Sequence, residues 1–150
     1  MREIERLLEQ INAVYGGPAW HGPALRDLLD GVTEEEARAH PLEGRHSILE
    51  VVVHITTWMD VGARRIGGAE INSRNVDSYP DLSQTSWSDE LQELERAQSR
   101  FADAVARLKP EDLDNQVPGK KHTIYTELQG VIQHNAYHAG QIAVLKKKKP

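Results

Sequence analysis

The sequence predicts an all-α fold, a four-helix bundle with short extra helices. Three observations predict it. Apolar residues return every three or four positions through four long stretches, no segment alternates apolar and polar residues over the length of a strand, and the prolines fall between the stretches.

Residues 2 to 15 place Ile4, Leu7, Leu8, Ile11 and Val14 on one helical face between charges, and Gly16, Gly17 and Pro18 stop that helix. After Trp20-His21-Gly22-Pro23, a short helix is expected through Leu29, with Pro23 at its first position. Thr33 and Glu36 have the spacing of a capping box, opening a second short helix that Pro41 closes. Ser47 and Glu50 repeat that signal before a long helix whose broad apolar stripe runs through Ile48, Val51, Val52, Ile55, Trp58, Met59, Gly62 and Ile66. Its β-branched run lowers helix propensity, but the period is 3.6 and burial overrides propensity.

Residues 67 to 85 show no periodicity. A connection of that length can travel back along a helix, which allows the flanking helices to be parallel. Ser86 or Ser88 then caps a third long helix reaching Leu108, with Leu91, Leu94, Ala97, Phe101, Ala104 and Val105 inward and charges outward. Lys109-Pro110 ends it, and a loop through Pro118 and Gly119 leads to a last helix from Thr123 to Lys147.

At 150 residues the chain is expected to be one domain that buries about 68–70% of its unfolded surface. It has no cysteine, so any metal must be held by imidazole, carboxylate, carbonyl or water. Charge of −5 and pI near 5.8 argue against nucleic acid as a partner. The charged start MREIERLLEQ is no secretory signal and no apolar run is long enough for a bilayer, so a soluble cytoplasmic protein is expected, with no membrane partner. Lys146 to Lys149 read as a solvated end that complements the last helix dipole.

The chemistry concentrates on the last helix. His134 and His138 are one turn apart, so their rings can converge on one ion, and Glu127, His134 and Gln141 follow one line at seven-residue spacing. With seven histidines in the chain, that spacing alone is weak, and hydrogen-bonded core histidines are the bland alternative. His54 is the other mid-helix histidine, at the edge of its apolar stripe. Three imidazoles leave a coordination position open, as in catalytic rather than structural sites. Glu50, Glu127 and Gln141 are candidates for a base or for partners that orient the imidazoles, though Glu50 also reads as a helix cap. Trp20, His21 and Trp58 are candidate pocket-lining residues; His40, His46 and His122, at helix edges or in loops, are given no role.

Trp20-His21-Gly22-Pro23, the segment HSILEVVVHITTW from His46 to Trp58, and YTELQGVIQHNAYHAGQIAVLKK from Tyr125 to Lys147 together resemble the DinB-like (damage-inducible) superfamily of metal-binding four-helix proteins. The resemblance spans most of the chain and is strongest in HNAYHAGQ. It implies a left-handed up-down-down-up bundle, frequent homodimers, and metal ligands at His54, His134 and His138. Related members include bacillithiol transferases and mycothiol-dependent isomerases.

The function expected is a metal-dependent thiol S-transferase or hydrolase acting on a small molecule. Zn or Ni is the expected ion, with a low-molecular-weight thiol as a possible co-substrate. The alternative is a non-enzymatic stress-response dimer that binds metal or a small ligand.

Overall fold

The structure is a computed structural model and describes residues 3–147. Among these, six α-helices occur: α1 (Glu3–Gly16), α2 (Leu25–Leu29), α3 (Glu34–Arg38), α4 (Ile48–Ile66), α5 (Trp87–Ala106) and α6 (Ile124–Lys147). No described residue lies in a strand, beyond two isolated bridges at Ala19–Gly22 and Gln116–Thr123. The chain is therefore all-α, and no described helix is long and apolar enough to cross a membrane.

Local chemistry sets the helix starts. Ser47 Oγ accepts the Glu50 N–H at 3.2 Å while Glu50 Oε2 accepts the Ser47 N–H at 2.7 Å, and Thr33 and Glu36 repeat that reciprocal pair on α3. Ser86, not Ser88, caps α5 by accepting from Asp89 N. The expectation for Pro23 is corrected: α2 begins at Leu25, with an extended Ala24 as its cap. The Ala24 N–H is held by Asp27 Oδ2 at 3.2 Å, which shifts the first helical residue past the proline. The connection after α4 contains one short 3₁₀ turn, Ser73–Asn75, and the loop after α5 another, Pro110–Asp114.

Each long helix packs on two others: α4 against α5 and α6, and α1 against the same two. Along α4, partners on α5 advance from Glu90 at Thr56 to Phe101 at Gly62, so these two helices run the same way. The long connection before α5 makes that possible. On α6 the partners retreat, from His134 at His54 through Val131 at Gly62 to Glu127 at Arg65, so α4 and α6 are antiparallel. Gly62 marks the closest approach: a Cβ there would lie 3.0 Å from Val131 Cγ2 and 3.2 Å from Phe101 Cε2. Leu7, Ile55, Met59, Leu94, Phe101, Leu128 and Ile142 fill the space between the helices.

One carboxylate sits uneasily in this core. Glu90 on α5 is buried, accepts only the Thr56 hydroxyl at 2.8 Å, and has its pKa raised by burial, then by the nearby Glu93 and Asp60 charges. A carboxyl whose folded pKa exceeds its unfolded value costs stability once ionised, and that cost vanishes when both states are protonated. Glu90→Gln keeps an acceptor for Thr56 and removes the charge. Urea unfolding at pH 7 should show the variant more stable than wild type, with the gap closing as pH falls toward about 4.

Candidate metal centre

Two helices build the site. α4 presents His54 from the edge of its buried stripe, and α6 presents His134 and His138 on one face because they are a turn apart. His54 Nε2 lies 3.0 Å from His134 Nε2, and His138 Nε2 lies 3.0 Å from the same atom. One ligand nitrogen from each ring falls within 4.8 Å of the others. Nitrogens each about 2.0–2.1 Å from one ion must stand roughly 3–3.4 Å apart for angles between about 90° and tetrahedral. Both spacings to His134 meet that requirement, and the three rings turn toward one another rather than toward separate core partners.

The far sides of the rings determine which nitrogen faces inward. His138 Nδ1 donates to Gln141 Oε1 at 2.6 Å, which leaves its Nε2 lone pair toward the cluster. His134 Nδ1 lies 3.4 Å from Asn135 Oδ1, a longer and weaker contact. His54 Nδ1 is buried without a hydrogen-bond partner of good geometry; the Ser78 backbone still favours protonation of the ring, as a weak polar contact rather than a formed bond.

All three rings are held neutral. Burial, then the charge of His138, lowers His54 and His134 to about 4. Burial also lowers His138, against the opposing effect of Gln141. Neutral imidazoles whose Nε2 atoms converge are a donor set for a divalent cation, so the residues fit a metal.

The remaining candidates divide. Gln141 is at the site through His138, and Trp58 borders it, its ring centroid 6.3 Å from those of both His54 and His134. Glu50 does not touch the cluster: its Oε2 takes the Ser47 N–H, His40 Nε2 at 3.1 Å and His46 Nδ1 at 3.3 Å. Glu127 lies two turns from His134, where it pairs with Arg65 at 2.9 Å and with His122 Nε2 at 2.5 Å. The line drawn through Glu127, His134 and Gln141 is correct in angle, but about 10 Å of helix rise separates its first two members. Trp20 and His21 make no hydrogen bond or ring contact with the three histidines. They sit at the exposed tip of the turn after α1, with Trp20 fully accessible.

Sequence reasoning missed four participants. Tyr79, in the connection without periodicity, stacks on His54 at 4.6 Å and on His46 at 3.8 Å, so its ring lies between them. His46, given no role, thus joins the site, backed by Glu50. His122 acts one layer away, where it holds Glu127. Asn135, buried between the two α6 histidines, offered a signal as a polar residue inside an apolar register.

Neither the curated proteins nor the solved structures gave a match to this chain. The family profile described as the DinB superfamily matches residues 19–142, a span that contains all three converging histidines. The chain belongs to the DinB superfamily.

Proposed function

We propose that this protein binds a divalent metal through His54, His134 and His138 and is an enzyme that transfers a small thiol to an electrophile or hydrolyses a small substrate. The observation that carries the reading is the 3.0 Å approach of His134 Nε2 to the Nε2 atoms of both other rings. An all-imidazole set suits Zn or Ni. Three ligands leave a position for water or substrate. The four long helices, with α4 parallel to α5 and antiparallel to α6, support a single up-down-down-up four-helix bundle as the scaffold.

An ion on these nitrogens supplies a lowered pKa for a bound thiol or water and polarises a substrate oxygen or sulfur. The chain's own residues supply the rest. Gln141 orients His138, Trp58 walls one side, and Tyr79 covers His54. Among the described residues no carboxylate hydrogen-bonds the three histidines, and His46 stands on the far face of Tyr79 from His54. Its Nδ1–H donates to Glu50 Oε2, which fixes the ring against Tyr79.

The test is an assay of metal-loaded protein with bacillithiol, glutathione or coenzyme A and a reactive electrophile. Turnover should fall to background in His54→Ala and in His134→Ala, each of which removes one of the three converging nitrogens. Rates in His54→Ala equal to wild type would overturn the reading.

A further inference from the structure

A cleft of about 480 Å³ opens beside the histidines, a size that suits a small molecule. Two of its walls belong to the centre itself: Gln141, the partner of His138, and His46, which stacks on the Tyr79 that covers His54. Tyr137 stands edge-on to His138 with centroids 5.1 Å apart and lines the cleft too. Much of the remaining surface is apolar and open to solvent, with Val144 54% and Tyr137 66% exposed. These side chains give the cleft a wall on which the apolar body of a small molecule can rest.

The cleft also has a sign. Arg45 lines it, and no Asp or Glu does. Among the described residues the Arg45 guanidinium makes no ion pair or side-chain hydrogen bond, in contrast to Arg38, Arg65 and Arg100, each held by a carboxylate. The carboxylate behind His46, Glu50, is already taken by Ser47, His40 and His46. A free guanidinium in a cleft without acids is a fork for an oxyanion.

We propose that this cleft seats the substrate and that Arg45 binds its oxyanion, so that the substrate class is a small molecule with an apolar segment and a terminal carboxylate or phosphate. The word substrate rests on the metal-dependent reading above; the oxyanion site does not.

The two are separated by measuring binding to metal-free protein, where no ion can hold the anion. Isothermal titration with 4-phenylbutyrate, phenylbutyl phosphate and 4-phenylbutan-1-ol compares carboxylate, phosphate and neutral head groups on one body. The tighter anion should bind at least about tenfold better than the alcohol, and Arg45→Gln should erase that preference while leaving alcohol binding unchanged. Amide NMR shifts at Gly44 and Gly140 should mark the cleft, and His54→Ala should bind the anion like wild type. Equal binding of alcohol and anions, a preference that survives Arg45→Gln, or shifts confined to other residues would each overturn the inference. If the Arg45-dependent preference holds while no metal binds, the oxyanion site stands and the metal-dependent reading falls.

Discussion

Chelator-treated protein should take up one Zn or Ni ion per chain, and His134→Ala should take up none. His134 is the decisive position because its Nε2 is 3.0 Å from both other ring nitrogens, so its loss leaves two imidazoles, one on each helix, without the atom they share. The free protein already holds these rings neutral, with His54 and His134 at about 4 because burial disfavours the cation, so neither needs to lose a proton near pH 7. Binding to the folded state alone should stabilise it by about 2.7 kcal/mol at a free ion concentration one hundred times Kd, a shift readable as a rise in Tm that His134→Ala lacks. Gln141→Leu keeps all three ligands but frees His138 to rotate, and should weaken the ion by roughly 10–100-fold. Equal uptake by His134→Ala and wild type, measured by elemental analysis and titration, would remove the basis for a metal centre here.

What was legible in the sequence follows from what periodicity encodes. A helix repeats regularly, so a buried stripe reveals its own facing direction. Ile48, Val51, Val52, Ile55 and Met59 locate α4 and with it His54, and the four-residue step from His134 to His138 locates the other half of the cluster. Capping boxes at Thr33 and Ser47 are equally local and equally readable. Contacts made by irregular backbone leave no such trace. Tyr79 reaches His54 from a connection with no repeat, and nothing in its neighbours' identities says where that loop returns. Distance along a helix is the other blind spot. Glu127 shares an angular position with His134, yet the axial rise carries it to a different layer, where Arg65 of the antiparallel α4 arrives. Glu50 shows the same ambiguity, because one carboxylate satisfied the cap and two histidines at once.

That deeper layer gives the second large effect: Arg65→Met should destabilise the fold by about 3–5 kcal/mol, the cost of leaving the buried Glu127 carboxylate with the His122 contact alone. Arg65 and Glu127 are 4% and 8% exposed, so water replaces little of what either loses. Nη1 of Arg65 meets Glu127 Oε1, Nη2 meets the Ile71 carbonyl at 3.0 Å and Ser73 Oγ at 2.9 Å, and the guanidinium lies 5.6 Å from the Trp58 ring centroid. One side chain thereby ties α4 to α6, fastens the start of the long connection and supports the tryptophan that borders the histidines. Replacing both partners with apolar groups of similar volume, Arg65→Met with Glu127→Leu, removes the under-compensated charge, frees the partly exposed His122 to solvent and should recover most of the loss. The recovery separates a missing charge from a missing shape: a cavity would persist in the double variant, whereas a buried carboxylate lacking its arginine cannot. Urea unfolding of the single and double variants measures the coupling directly. A single variant within about 1 kcal/mol of wild type would show that the pair contributes no more than an exposed one. If the double variant also binds metal like wild type, the pair holds the helices together without serving the ion, and the two layers of α6 are independent in function.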